Sequence, residues 1–355
     1  MDEKTNPGAT RVALGMSGGV DSAVSAAVLM RAGYLVVGVT CLFTRDSKAR
    51  VAAEDAAAVC ALLGIEHKVW ECADAFERSV VDPFVHGYAQ GLTPSPCVSC
   101  NALCKMPQLF AAAEKLGCDK AATGHYARIA QLEENGRFVV KAALDTSKDQ
   151  SYMLSQLTQE QLSRLVLPLG AATKADVRAM ASDLGLPVAD KPESQDICFI
   201  EDDHRAFLEE RGVSGEPGPI VDARGVEVGR HAGLFRYTIG QRKGIGVAAA
   251  EPYYVIGKRS ESNELVVGFK DETTIGGVSV ASPNWQAFER LEGPLECMVK
   301  LRYRSAKAAC TVAPLKDGSA MASFVTPQPT TAPGQHAVFY LGETVLGGGM
   351  IEEVV

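Results

Sequence analysis

The protein has 355 residues, of which 46% are hydrophobic and 22% are charged, and its formal net charge is −8. The length exceeds what one hydrophobic core usually serves, so we expect two or three domains, and the negative charge argues against a general nucleic-acid binder. No apolar run reaches the roughly 18 residues of a membrane span, and residues 1–10 lack the layout of a signal peptide, so we expect a cytoplasmic protein without membrane contact.

The first part of the chain alternates short apolar runs with helical stretches. Strands are predicted over residues 12–16, 35–40, 66–72 and 120–123, and helices over residues 22–32, 51–63 and 102–116. A glycine follows each helix, at the position where a left-handed backbone commonly ends helices. This alternation predicts an α/β fold with a doubly wound parallel sheet that is covered by helices on both faces.

The pattern of predicted helices and strands changes twice in the rest of the chain. Residues 128–144 predict a hairpin turning at Asn135-Gly136, because Asn-Gly supplies positive φ angles. Residues 151–211 are mostly helical, and short strands punctuated by glycine and proline follow from Gly212 onward. We therefore predict a catalytic domain with a helical insertion over 1–205, a small β-rich central domain over 206–275, and a C-terminal β-barrel over 276–355.

A glycine-rich loop follows the first predicted strand and opens the first helix. Backbone N–H groups, two serine hydroxyls and the positive end of the helix dipole would hold a polyphosphate there, and Asp21 is a candidate Mg²⁺ ligand. The loop contains no lysine, so it is not a kinase-type P-loop. A purely structural turn is the competing interpretation. The residues of the loop are Gly15, Met16, Ser17, Gly18, Gly19, Val20, Asp21 and Ser22.

Basic residues gather in two later stretches despite the net negative charge. Residues 298–312 contain Lys300, Arg302, Arg304 and Lys307 without an acid, and residues 230–259 contain six basic residues against Glu251 alone. Such stretches either bind phosphates or form an ordinary solvated face, and charge alone does not separate the two.

Ten cysteines occur without a secretory signal, which favours reduced thiols over disulfides. Cys100 follows a proline-rich stretch just before a predicted helix, where the helix dipole would lower its pKa, and Lys105 lies one turn further on. Other cysteines stand alone among apolar neighbours, and we expect them to pack as small hydrophobes: Cys41, Cys60, Cys72, Cys118, Cys297 and Cys310.

Several motifs resemble known families. The sequence S-G-G-V-D-S at 17–22 resembles the pyrophosphate loop of the ATP pyrophosphatase superfamily, whose members cleave ATP to AMP and pyrophosphate. P-S-P-C-V-S-C-N at 94–101, A-T-G-H-Y at 122–126 and S-Q-D-I-C-F-I at 194–200 resemble bacterial tRNA-specific 2-thiouridylases. Shorter matches at 148–152, 239–244, 302–304 and 333–335 are similar to the same family, so the resemblance extends over nearly the whole chain.

The resemblance implies an adenine nucleotide alpha hydrolase-like fold and a tRNA-uridine 2-sulfurtransferase. ATP would adenylate the C2 oxygen of the wobble uridine in the tRNAs for lysine, glutamate and glutamine, and sulfur would then replace AMP. Cys198 would carry the sulfur as a persulfide, supplied by a cysteine desulfurase or a relay protein. Cys100 would be the second catalytic cysteine and would form a disulfide with Cys198.

The same resemblance implies the binding residues. Cys41 and Gly124 would line the adenine. The target uridine would be flipped out of the stack, because its C2 carbonyl is otherwise enclosed by neighbouring bases. Its immediate surroundings would be Ser95, Pro96 and Cys97. Further tRNA contacts would come from His125, Lys148, Asp149, Gln150, Arg302, Tyr303 and Gln335.

One position departs from the family pattern, since many members have aspartate where this chain has Cys97. With Cys100 and Cys198, Cys97 would offer three thiolate ligands to an iron–sulfur cluster, which could carry the incoming sulfide. The alternatives are persulfide chemistry without a metal and a zinc site, for which Cys104 is the nearest fourth ligand.

Two other functions remain open. An amidotransferase-type synthetase would use the same loop to adenylate a small molecule, but it has no need of paired cysteines. An RNA-binding adaptor with a degenerate nucleotide site would not need an intact Asp21.

Overall fold

The structure is a computed structural model that describes residues 9–192, 197–200 and 203–355. Ser194, Gln195 and Asp196, which belong to one of the motifs above, lie outside the described residues. Within the described part, no helix has the length and apolar character needed to cross a membrane.

The described residues form the following elements. The α-helices are α1 (Val20–Arg31), α2 (Ser47–Leu63), α3 (Ala73–Phe76), α4 (Asp82–Ala89), α5 (Pro96–Cys100), α6 (Met106–Lys115), α7 (Gln159–Arg164), α8 (Lys174–Asp183) and α9 (His204–Glu210). Turns of π-helix occur at Glu77–Val81 and Asn101–Lys105, and turns of 3₁₀-helix at Ser151–Leu154, Leu234–Arg236 and Lys270–Thr273. The strands are β1 (Arg11–Gly15), β2 (Leu35–Leu42), β3 (Glu66–Glu71), β4 (Lys120–Ala122), β5 (Ala127–Gln131), β6 (Phe138–Ala142), β7 (Leu165–Val166), β8 (Gly218–Asp222), β9 (Glu227–His231), β10 (Tyr254–Arg259), β11 (Glu264–Gly268), β12 (Thr274–Trp285), β13 (Leu295–Lys300), β14 (Ala308–Pro314), β15 (Ala320–Pro329), β16 (His336–Leu341) and β17 (Thr344–Val354).

A five-stranded parallel sheet forms the N-terminal part, in the order β3-β2-β1-β4-β7. Val12 and Leu14 of β1 pack in the cluster that contains residues of α1 and α8, whereas Ala13 packs in the cluster that contains residues of α6. Alternate residues of the strand are therefore buried on opposite faces, and the predicted α/β fold is confirmed. The sequence analysis did not identify β7, because two residues are too short to show a period.

The helix predicted over residues 102–116 begins earlier, at Pro96. Proline suits the first turn of a helix, because N–H groups there have no partner within the helix. α5, the π turn Asn101–Lys105 and α6 follow one another without a break. The prediction that Cys100 precedes the helix is therefore wrong. Cys100 lies within the helical segment, directly before a π turn, and such turns are frequent at functional sites.

The predicted hairpin is confirmed by the antiparallel pairing of β5 with β6, and Gly136 in its turn has a φ of 70°. The hairpin also extends the C-terminal sheet, because β6 pairs with β17 at Lys141 and Thr344. A buried cluster built from residues between 98 and 165 and from strands β16 and β17 includes Tyr152 and Tyr340. The C-terminal barrel thus packs directly against the α/β part of the chain. That part also contains the glycine-rich loop at residues 15–22, which is called the phosphate loop below.

Two further sheets form the C-terminal part. β10, β11, β8 and β9 form a four-stranded sheet. The strands from β12 to β17 form a barrel that is closed by the pairing of β12 with β17. The predicted β-rich central unit and C-terminal barrel are confirmed.

Candidate functional site

The phosphate loop connects β1 to α1 and is closed by its own serines. The Ser22 hydroxyl donates to the Gly19 carbonyl (3.0 Å) and accepts from the Ser17 N–H (3.2 Å). Gly19 is the N-cap of α1, and among the described residues no side chain caps this end. The N–H groups of the first turn are therefore directed toward whatever anion enters the loop.

The surroundings of Gly18 show how closely the loop is packed. Its φ is 66°, and a Cβ at this position would lie 2.4 Å from the Ala52 carbonyl oxygen. We expect Gly18→Ala to lower the free energy of unfolding by about 2 kcal/mol or more, because it combines a left-handed backbone with a steric overlap. Gly19→Ala is the matched control, since a Cβ there would meet only the Ser17 hydroxyl at 3.5 Å. Equal losses of stability for both variants in urea denaturation would contradict this account.

Asp21 lies at the centre of a polar network. Its Oδ1 accepts from the Tyr126 hydroxyl (2.7 Å), and the Lys174 ammonium donates to both carboxylate oxygens (2.7 and 2.8 Å). A Mg²⁺ ion is typically held by one or two carboxylates together with substrate phosphates and water. A single carboxylate beside a phosphate loop fits that requirement, provided that Lys174 shares the oxygens with the ion.

Two lysines from distant segments supply the positive charge that the loop itself lacks. Lys174 is the first residue of α8, and Lys191 donates to the Gly18 carbonyl (2.9 Å) while pairing with Asp55 (2.5 Å). Neither lysine is apparent from the sequence, because they lie 153 and 173 positions beyond their partners in the loop. A local signal was present at Thr173, which begins a Thr-x-x-Asp capping box and so fixes Lys174 at a helix start.

A cavity of about 1480 Å³ unites residues from several parts of the chain. Its wall includes the whole phosphate loop, both lysines, the predicted adenine contacts and Cys198. The barrel contributes Lys300, Tyr303 and Arg304 to the same wall. The predicted nucleotide-binding residues, the predicted persulfide cysteine Cys198 and part of the basic stretch over 298–312 therefore face one space. The predicted site residues in the wall are Gly15, Met16, Ser17, Gly18, Gly19, Val20, Asp21, Ser22, Cys41, Gly124, His125, Lys148, Asp149, Gln150, Cys198 and Tyr303.

Cys198 and Cys100 are linked by one apolar cluster, because Cys100 belongs to it and Phe199, the residue after Cys198, packs against it. Cys198 is exposed toward the cavity, in a turn that is closed by the hydrogen bond from the Ile200 N–H to the Ile197 carbonyl (3.0 Å). Cys100 is buried, and it is near enough to Cys198 for a charge on one sulfur to disfavour a charge on the other. The fold therefore brings together two thiols that are far apart in the sequence.

The pKa values of these thiols are set mainly by burial. Burial raises the pKa of Cys100, and desolvation by the surrounding cavity wall raises the pKa of Cys198 to about 11, with the neighbouring Cys100 adding to the effect. Lys105 opposes both shifts because its ammonium attracts the thiolates. The predicted lowering of the Cys100 pKa by the helix dipole is wrong, because desolvation of a side chain that is only 9% exposed dominates.

The remaining cysteines are free, as expected, but not all stand alone. Cys60 and Cys118 are buried singly in apolar clusters. Cys41 forms a hydrogen bond with Cys72, which lowers the pKa of Cys41. Cys297 and Cys310 face each other on β13 and β14, with their sulfur atoms 3.6 Å apart. Pairing of neighbouring strands explains this last contact, which spacing in the sequence does not indicate.

The predicted iron–sulfur ligands Cys97, Cys100 and Cys198 do not fit a metal site in this structure. Among the described residues, no three cysteine, histidine or acidic side chains are arranged to hold a metal ion. Cys104 is fully buried in an apolar cluster, which does not favour the zinc alternative.

His125 is held in a neutral form at the cavity wall. Its Nδ1 lies 2.7 Å from the Thr123 hydroxyl. Burial lowers the pKa of His125 to about 3, with a further contribution from Lys105, and burial lowers the pKa of His336 to about 4. A neutral imidazole suits hydrogen bonding to a base or ribose rather than pairing with a phosphate.

The two buried imidazoles make stability depend on pH. Between pH 6.5, near which unfolded histidine titrates, and about 4, the unfolded state binds protons that the folded state does not, so the free energy of unfolding should fall as the pH falls below 6.5. Urea denaturation from about pH 7.5 to 5.5 measures this slope. His125→Gln and His336→Gln should each flatten it, whereas His86→Gln, which changes an exposed histidine, should not. An unchanged slope in both buried-site variants would be incompatible with these pKa shifts.

Other predicted tRNA contacts lie away from the cavity wall and have partners in the fold. The Arg302 guanidinium donates to the carbonyls of Ile239 and Thr330 (both 3.2 Å), and it thereby links the segment before β10 to the barrel. The Gln335 amide donates to the Thr93 carbonyl (2.7 Å), which holds the loop before α5. These two side chains have structural roles that the resemblance does not imply.

The residues predicted around the flipped base form the start of α5. Ser95 is the N-cap, Pro96 is buried in the first turn, and Cys97 is partly exposed. Gln335 and the Thr93 carbonyl connect this turn to the barrel. Gly124 packs against the phosphate loop, since a Cβ there would lie 3.0 Å from the backbone of Asp21. The loop after β4 therefore leaves little room for a side chain at that position.

Three family models match the chain in succession. They are described as a tRNA methyl transferase HUP domain at residues 10–202, a tRNA methyl transferase PRC-barrel domain at residues 205–269, and an aminomethyltransferase beta-barrel domain at residues 276–351. The tRNA-specific 2-thiouridylase MnmA of Nostoc punctiforme is 44% identical over 349 residues, which cover 97% of this chain and 99% of the relative. The protein of the same name from Heliobacterium modesticaldum is 46% identical over 354 residues, with 96% and 92% covered.

Solved structures are more distant. The U34-tRNA thiolase NcsA from Methanococcus maripaludis with its 4Fe-4S cluster matches with a TM-score of 0.36 and 18% identity, over 57% of this chain and 64% of the other. A 4-thiouridine synthetase in an RNA complex with bound ATP matches with a TM-score of 0.32 and 18% identity, over 57% and 50% of the two chains. Similarity at this level does not extend to cofactors or individual residues.

Proposed function

The chain belongs to the family of tRNA-specific 2-thiouridylases, and from this membership we propose how its cavity exchanges oxygen for sulfur on a tRNA uridine. The chain is a sulfurtransferase that acts on tRNA. The observation that carries the mechanism is that the phosphate loop and Cys198 line the same cavity. Adenylation occurs on the oxygen bonded to C2 and sulfur transfer occurs at C2 itself, so the groups that perform the two steps must reach the same point.

ATP is the activating substrate in this proposal. The N–H groups at the start of α1 and the hydroxyls of Ser17 and Ser22 bind its phosphates, with Lys174 and Lys191 beside them. Cys41 and Gly124 line the adenine. Asp21, together with the phosphates, would hold the Mg²⁺ that accompanies ATP, and the ion would supply neutralising charge for the departing pyrophosphate. The C2 oxygen of the wobble uridine attacks the α-phosphorus, so AMP becomes the leaving group.

Sulfur transfer then proceeds through the two cysteines. The terminal sulfur of a Cys198 persulfide attacks C2, and the C2–O bond breaks as AMP leaves. A Cys100 thiolate attacks the Cys198 sulfur, which breaks the S–S bond, releases the thiocarbonyl product and forms a Cys100–Cys198 disulfide. An external thiol reductant restores both thiols. Because burial raises the pKa of both cysteines, Lys105 is the nearby charge that favours their thiolates.

Partners follow from the same family membership. We assign the tRNAs for lysine, glutamate and glutamine as substrates, and a cysteine desulfurase or a relay protein as the persulfide donor, in the cytoplasm. Ser95, Pro96 and Cys97 surround the flipped base. His125, Lys148, Asp149, Gln150 and Tyr303 receive the neighbouring nucleotides, while Arg302 and Gln335 act through the loops that they hold. The domain limits that we propose remain 1–205, 206–275 and 276–355.

Mass analysis of tRNA incubated with the protein, ATP and a persulfide donor tests this function. We expect a wobble uridine with sulfur in place of oxygen, together with tRNA-dependent AMP release. Addition of a methyl group, which the family descriptions suggest, gives a different mass. AMP release that depends on a small molecule and not on tRNA would indicate a synthetase, and no AMP release would indicate an RNA-binding adaptor.

The same assay decides the role of a metal cluster. Protein shown by metal analysis to be free of iron is expected to thiolate tRNA from a persulfide donor. Activity that requires iron and sulfide would reassign Cys97, Cys100 and Cys198 as cluster ligands that assemble only when the metal binds.

A further inference from the structure

Phe199, the residue after the persulfide cysteine, is the centre of an aromatic cluster. Its ring lies 5.6 Å from Phe76, 5.3 Å from Phe84 and 5.4 Å from Phe207, measured between ring centroids. The contacts with Phe76 and Phe84 are edge-to-face, at 73° and 87°, which is a favoured arrangement for aromatic pairs. The three partner rings belong to α3, α4 and α9, so Phe199 is held from three elements.

This cluster also contains the other catalytic cysteine. Phe199 packs against a buried group that includes Phe76 and Cys100. Cys198 and Phe199 are the two central residues of the turn between Ile197 and Ile200, so fixing one side chain of the turn orients the other. With Phe199 directed into the cluster, Cys198 is exposed at the cavity wall.

We propose that Phe199 is a positioning residue, whose aromatic anchor holds the Cys198 sulfur within reach of Cys100. Residues 197–200 belong to no helix or strand, so the hydrogen bonds of regular secondary structure do not fix the turn. The packing of the Phe199 side chain fixes it instead. The inference rests on the proposed roles of Cys100 and Cys198. It adds that the proximity of the two sulfurs depends on a ring that itself takes no part in bond making.

Equilibration with mixtures of reduced and oxidised glutathione measures this proximity as an effective concentration. Quantifying the Cys100–Cys198 disulfide by mass spectrometry should give a value at least about tenfold lower for Phe199→Ala than for the unmodified protein, because several aromatic contacts are lost. Phe199→Leu, which keeps apolar bulk in the cluster, should recover part of the loss. In thiolation assays, kcat should fall in parallel while KM for ATP stays constant.

Phe288→Ala is the matched control, since it removes a partly buried ring that packs on Trp285 (5.0 Å) in the barrel. An effective concentration for Phe199→Ala equal to that of the control would overturn the proposal. If Phe199→Ala fails to fold, an unchanged value for Phe199→Leu together with an unchanged kcat would do the same. Absence of any Cys100–Cys198 disulfide in the unmodified protein would instead refute the proposed two-cysteine mechanism, and the anchor with it.

Discussion

Replacement of Cys198 or of Cys100 by alanine is expected to reduce tRNA thiolation by at least about 10³-fold, because in the proposed mechanism each variant removes a sulfur that makes or breaks a bond. ATP binding should survive in both, since the phosphate loop and its lysines are unchanged. The Cys198 variant has no atom to carry the persulfide. The Cys100 variant still attacks C2 but cannot release the product, so tRNA linked through Cys198 should accumulate. Thiouridine formation and non-reducing electrophoresis measure the two effects.

Cys104→Ala is the control for this pair. Cys104 lies four positions after Cys100, is fully buried and belongs to the same apolar cluster, so its loss reproduces the packing change. Near-normal thiolation by this variant would separate chemistry from packing. A Cys100 variant no less active than the Cys104 control would remove Cys100 from the mechanism.

The architecture was largely predictable because its signals are local. Buried parallel strands appear as short apolar runs, and three helices are followed within two residues by a glycine with a positive φ, namely Gly33, Gly64 and Gly117. The start of the helix at Pro96 was missed because a proline-rich stretch is typical of both a loop and a first helical turn. The two-residue strand β7 had no periodicity to detect.

The site residues were predictable only where several of them lie together in one short stretch of the sequence. The phosphate loop, the motif around Cys100 and the motif around Cys198 are each contiguous, and the resemblance identified all three. Lys174 and Lys191 are isolated lysines in sequence, and only the packing of α8 against α1 brings Lys174 to Asp21. The direction in which the pKa of Cys100 shifts depends on how deeply its side chain is buried. The sequence does not show this burial when the helix is predicted to start at the wrong residue.

Lys174→Met is expected to lower tRNA-dependent AMP formation by about 10²-fold or more, because it removes the ammonium that pairs with Asp21 in the phosphate loop. It should also lower the free energy of unfolding by about 1–2 kcal/mol, since Asp21 is left without its cationic partner at a partly buried position. AMP assays and urea denaturation measure the two losses separately.

A double-mutant cycle distinguishes catalysis from packing at this pair. Lys174 is 11% exposed and Asp21 32% exposed at the side chain, so an unpaired charge there is only partly solvated. Asp21→Asn combined with Lys174→Met removes both charges, and stability should return toward that of the unmodified protein while AMP formation stays low. Recovery of AMP formation in the double variant would mean that the pair only supports the loop. Continued inactivity in a stable protein would mean that ATP itself needs both the lysine and the carboxylate, because the ammonium binds the phosphates and the carboxylate binds the Mg²⁺ that accompanies them.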